Sequence, residues 1–173
     1  MSTAEPLPVY AAETHMGRLS TAEAVVVSTF RLWFAPHCYP LESHPSWKTG
    51  LQVAGMAPWG LHAFDTLLWI TMAAGTLELD VRCQHCSQLG HDEAWLLQMV
   101  NRAQVGLHVE AEAILRSWMT PAGARAGLRH LDLFSHALAN VDLLVGLSSS
   151  SVKLVPSRRP DRLKRAGAPT VLH

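Results

Sequence analysis

The residues best suited to chemistry stand within nine positions of one another, in Cys83-Gln84-His85-Cys86-Ser87-Gln88-Leu89-Gly90-His91. Two cysteines separated by two residues can set both thiolates on one tetrahedral ion at roughly 2.3 Å. His91 follows at a distance that lets its imidazole fold back as a third ligand, and Gly90 relaxes the backbone where such a loop must close. Zinc is the ion that this donor set suits, and Cys38 is the natural fourth ligand, with His37, His44 and His85 as substitutes. Cys83, Cys86, His91 and Cys38 together would form a closed, structural zinc site that pins an irregular segment to the core. With water in the fourth place the cluster would instead be catalytic, and the nearest general bases are Asp92 and Glu93. The same cysteine pair also fits two small buried residues of a reduced protein.

The spacing of Cys83, Cys86 and His91 resembles the zinc knuckle, whose last cysteine stands five positions beyond the histidine; Leu96, on a helical stripe, occupies that position here. Ser87 after Cys86 disfavours haem attachment, and a thioredoxin-like pair would need an α/β pattern. Elsewhere His62 and Asp65 sit three apart in the most apolar helix, where they can share a face and a hydrogen bond as a packing contact. His130, Asp132 and His136, and His108 with Glu112, read as solvated helix faces. The six tryptophans mostly match helical core phases, which favours core packing over a base-stacking platform or a cofactor cage. Neither a phosphate-cradling glycine loop nor a local nucleophile signature is present, so the residues give an enzymatic role no positive support.

The elements that must position these residues are helical. Ser20-Thr21-Ala22-Glu23 is a capping-box pattern that starts a helix over about Thr21 to Ala35, which Pro36 and Pro40 end. A short helical turn fits Trp47 to Met56, and a largely buried helix follows Pro58 over Trp59 to Ala74. Thr76 to Val81 alternates as a half-buried strand does. Helices follow from Asp92 to about Gln104, from Val109 to Met119, and from Thr120-Pro121 to about Leu147. The expectation is a mainly α fold, a small domain of four to five helices carrying a metal-like C-x-x-C loop. A flexible N-terminal arm over 1–17, the helical domain over 18–147 and a Ser/Arg/Lys-rich disordered tail over 148–173 complete the division.

The 173 residues suit one domain, and charge sums to zero. Its distribution is uneven: Lys153, Arg158, Arg159, Arg162, Lys164 and Arg165 stand against Asp161 alone, so the tail carries five net positive charges and the remainder five negative. Those six side chains are the candidate contacts to nucleic acid, through salt-sensitive phosphate contacts. Three cysteines without a disulfide framework suit a reducing compartment, and the cytoplasm is the expected location. No export signal is visible, and the uncharged run Thr66 to Leu77 is short of the roughly 20 residues of a transmembrane helix. Together these observations describe a small accessory or regulatory protein that binds a protein partner, with zinc as a structural staple. A nucleic-acid-binding regulator using the tail, and a metal-dependent or thiol redox enzyme, are the alternatives.

Overall fold

The computed structural model describes residues 10–146. Six α-helices lie among them: α1 Thr21–Cys38, α2 Lys48–Val53, α3 Pro58–Ala74, α4 His91–Gln104, α5 His108–Trp118 and α6 Pro121–Ala139. This is the mainly α domain that the periodicity predicts, with one helix more than expected because the turn near Trp47 closes as α2. No helix among the described residues is long and apolar enough to cross a membrane. The basic tail, with Lys153, Arg158, Arg159, Arg162, Lys164 and Arg165, lies outside the described residues.

Local chemistry sets most boundaries. At the start of α1 the Ser20 hydroxyl accepts from the Glu23 amide while the Glu23 carboxylate accepts from the Ser20 amide, the reciprocal cap read from the sequence. The helix runs through Pro36 to Cys38, because a proline in the last turn removes only one bond and the Tyr39 amide still closes on the Ala35 carbonyl. Pro58 and Pro121 occupy first-turn positions of α3 and α6, where their missing N–H costs nothing.

α3 and α6 form the most extensive helix pair, and α4 packs against α5, α6 and α1. Gly60 lets α3 approach α6, since a Cβ there would overlap that of Ala137, and Phe64 meets Phe134 with ring centroids 4.6 Å apart. Phe30 of α1 stacks on Trp118 of α5 at 6.0 Å, which completes a single core. Of the six tryptophans only Trp33 and Trp118 are buried; Trp47 is half-buried, and Trp59, Trp69 and Trp95 are exposed at the rims of helices.

Two sequence expectations differ from the structure. The stretch Thr76 to Val81 is not a strand. Pairing stops after the Thr76 amide, which donates to the Trp118 carbonyl; the Asp80 amide and that of the following Arg82 bond the carboxylates of Asp92 and Glu93, while Leu79 and Val81 still turn toward the core. α6 ends at Ala139, not near Leu147, because α4 captures the following segment. Asn101 donates to the Val145 carbonyl, and Gln104 donates to the Leu143 carbonyl while accepting from the Val145 amide.

Candidate functional site

The loop that carries the cysteines, residues 75–90, is built on two buried carboxylates at the start of α4. Arg31, 3% exposed, grips Glu93, 0% exposed, through two hydrogen bonds of 2.7 Å. The same guanidinium donates to the Cys86 carbonyl at 2.7 Å and to the Gln88 carbonyl at 2.8 Å. Glu93 accepts in addition from the Arg82 and Gly90 amides. Its neighbour Asp92 accepts from the Trp118 indole and the Asp80 amide, each at 2.7 Å, and Asp80 in turn accepts from the His91 amide. Glu93 has a counter-charge in Arg31, and the Asp92 carboxylate is met by two N–H donors, so both buried carboxylates are hydrogen-bonded, the condition for burying ions without a large penalty.

The stretch from Tyr10 to Arg18, which the sequence assigns to the arm and the start of the domain, lies along the same loop. The Glu13 and Met16 amides donate to the Leu89 and Ser87 carbonyls, and the Leu89 amide donates to Thr14. Tyr10 reaches Glu23 with its hydroxyl at 2.7 Å; burial and that carboxylate push the phenol well above its usual pKa.

The four residues expected to ligate zinc are distributed over this framework rather than gathered. Cys38, at the end of α1, and Cys83 line one cavity of about 250 Å³, together with His44, His85, Tyr39 and Arg82. Cys86 is half-buried, and its amide closes a turn on the Cys83 carbonyl. His91 opens α4 and lines a separate groove between α4 and α5; its Nε2 accepts from the Trp95 indole at 3.0 Å. Among the described residues no group of three or more His, Cys, Asp or Glu side chains stands arranged to hold a metal ion. All three cysteines are free thiols. His37 packs its ring against Trp33 and Trp69 instead.

An open cavity of about 610 Å³ lies along α6 where it meets the end of α4 and the start of α5. Arg125, Arg129, Asp132 and His136 project from one face of α6, and His108 faces them from α5. His108 pairs with Asp132 at 2.9 Å, and Glu112 with Arg116, so the sequence grouping of His108 with Glu112 gives way to a contact between helices. His62 and Asp65 likewise have separate partners: Asp65 accepts from the Trp33 indole, and His62 lies 3.5 Å from the Thr66 hydroxyl. Among the described residues the Ser135 hydroxyl has no hydrogen-bond partner, yet at 1% exposure it is closed to a substrate, so Ser135, His108 and Asp132 do not assemble a nucleophile with its base.

Comparison with protein-family models, with curated proteins and with solved structures gives no match. Function therefore rests on the site itself.

Sequence reasoning missed both the Arg31–Glu93 pair and the α6 groove. The signal for the first was present: Arg31 continues the stripe of Val27, Phe30 and Phe34 on the buried face of α1, and a charge on a core stripe demands a buried partner. For the second, Arg125, Arg129, Asp132 and His136 follow one another by four, three and four residues, the spacing of a single helix face.

Proposed function

We propose that this chain is a small accessory or regulatory protein that acts by binding a protein partner, and that the α6 groove seats an acidic segment of that partner. One observation carries the reading. Arg31, Arg82, Arg102 and Arg116 each have a carboxylate partner, whereas Arg125 and Arg129, one turn apart at the groove, have neither an ion pair nor a hydrogen bond among the described residues. Residues 10–146 hold eight Lys or Arg against twelve Asp or Glu, so two unpaired guanidiniums in an open groove are a local reversal of the surrounding charge. His108 and His136 add donors, and Leu128 and Leu133 supply apolar contact. Guanidiniums one turn apart suit carboxylates at helical spacing on a partner, and such complementarity sets register and on-rate.

The test is fluorescence anisotropy of a labelled Glu-rich peptide titrated with the full chain. Binding should weaken roughly tenfold or more in Arg125→Glu/Arg129→Glu and on raising salt, with the circular dichroism spectrum unchanged. Equal binding by the double variant would remove the groove from the account. Binding of duplex DNA but not of the peptide, lost on removing residues 148–173, would favour instead a nucleic-acid regulator working through Lys153, Arg158, Arg159, Arg162, Lys164 and Arg165.

A further inference from the structure

The described residues end at Gly146, beside the α6 groove. Gln104 of α4 lines that groove and donates to the Ser135 carbonyl of α6 at 3.4 Å. The same carboxamide fixes the exit of the chain: it donates to the Leu143 carbonyl at 3.0 Å and accepts from the Val145 amide at 2.9 Å. Asn101 donates to the Val145 carbonyl at 2.8 Å, and the Gly146 amide donates to Glu23 at 3.1 Å. The tail, with six cations against Asp161 alone, therefore sets out next to a side chain that lines the groove. We infer that the tail cations and the α6 groove form one composite site, whose ligand is an acidic protein segment long enough to lie across both. The inference rests on the reading of the groove given above, and adds to it a second point of attachment and a minimum length for the partner's segment.

Covalent geometry sets the reach. At a rise of 1.5 Å per residue, Arg129 and Arg125 stand roughly 15 and 21 Å along α6 from Ala139, the residue at the exit end of the groove. Lys153 lies seven residues beyond Gly146, a span of at most about 25 Å, and the five cations after it reach farther. No tail cation is tethered too short to meet a segment that runs out of the groove. Because both sets of cations belong to one chain, the second contact with a bound segment is intramolecular, and each set raises the affinity that the other supplies. Charge over the rest of the surface decides between an acidic protein segment and nucleic acid. Residues 10–146 hold eight Lys or Arg against twelve Asp or Glu, so a duplex laid on the groove would bring its phosphates against the surrounding carboxylates. A single acidic segment follows the line of cations and touches little else. Along that line Asp132 is bonded to His108, and Asp142 is the one acid between α6 and Gly146.

The experiment titrates the full chain with two Glu-rich peptides by calorimetry at low salt, which reads affinity and stoichiometry together. One peptide has about six residues, at most roughly 21 Å when extended and no longer than the groove. The other has about twenty-four, which exceeds the groove even as a helix of about 36 Å. Wild type should bind one long peptide per chain. A full-length variant carrying Lys153→Gln, Arg158→Gln, Arg159→Gln, Arg162→Gln, Lys164→Gln and Arg165→Gln should bind the long peptide roughly tenfold or more weakly, yet bind the short one as wild type does. Arg125→Glu/Arg129→Glu should weaken both. Wild-type affinity of the glutamine variant for the long peptide, with both peptides weakened by the arginine double variant, would overturn the composite site and leave the groove reading standing. Wild-type affinity of the arginine double variant for the short peptide would remove the groove and the composite site together. Two long peptides per chain would mean two independent sites. Duplex DNA bound more tightly than the long peptide by wild type, but not by the glutamine variant, would give the tail to nucleic acid. Either of these last results overturns the inference.

Discussion

The two irregular segments that meet at Cys38 and Cys83 are held in opposite ways. Residues 75–90 hang from buried side chains: Arg31, Asp92 and Glu93 between them take up backbone groups of Asp80, Arg82, Cys86, Gln88 and Gly90. In the segment after α1 the Glu42 amide and the His44 ring both bond the Tyr39 carbonyl, and Trp47 at its end packs on Phe64 of α3. The difference shows that the base of the cysteine loop is held by a guanidinium and two carboxylates. It also divides the loop into a base bonded to buried side chains and a tip, Cys83 to His85, whose backbone bond among the described residues is the local turn to Cys86.

The contrast is broken most severely at its base. Glu93→Ala leaves the Arg31 guanidinium buried without its counter-charge and two amides without an acceptor; a loss of about 3–5 kcal/mol in urea denaturation is expected. A loss under about 1 kcal/mol would mean that the loop is held some other way. Next in size, Gly90→Ala puts a Cβ against the Asp80 carbonyl oxygen, a backbone atom that cannot turn aside, and should cost about 1–3 kcal/mol. Its counterpart outside the fixed loop, Gly50→Ala in α2, meets nothing within 4 Å and should be neutral or stabilising by up to about 1 kcal/mol. Equal effects of the two alanines would erase the distinction.

The smallest effect lies at α6. Burial, and after it the nearby Arg129 and His62, hold the His130 imidazole below its usual pKa, and its Nδ1 is buried without a partner. A base whose folded pKa is depressed is favoured neutral in the native state. Its contribution is intact above the unfolded value near 6.5 and is lost as pH falls from there through the folded pKa. The melting temperature should therefore decline less between pH 7 and pH 5 in His130→Leu than in wild type, by about 3 °C at most. An identical decline would place the pH sensitivity elsewhere.

The helices were legible because their signals are local. Ser20 with Glu23, Pro58, Pro121 and the apolar spacing each act within one turn, and the structure returns α1, α3, α4 and α5 within a few residues of their expected bounds. What escaped depends on distant partners. The alternation of Thr76 to Val81 has the period of a strand, but its pairing with the segment at Trp118 ends at Thr76, and the Asp80 amide turns to the Asp92 carboxylate of α4 instead. The end of α6 was overrun because Asn101 and Gln104, some forty residues earlier, draw the chain away. At the candidate site the sequence grouped Cys38 with Cys83, Cys86 and His91, and the structure brings together only part of that set. In space Cys83 shares its cavity with Cys38, and His91 faces another groove.

Amide hydrogen exchange on the metal-free protein tests the fixed-base account most directly. The Arg82 and Gly90 amides, both donated to Glu93, should show protection approaching that of the global unfolding free energy, while the Gln84 and His85 amides at the tip should exchange nearly as fast as in an unstructured chain. Fast exchange at Arg82 and Gly90 without metal, with protection appearing only when zinc is added, would contradict the account and return the role of staple to the ion.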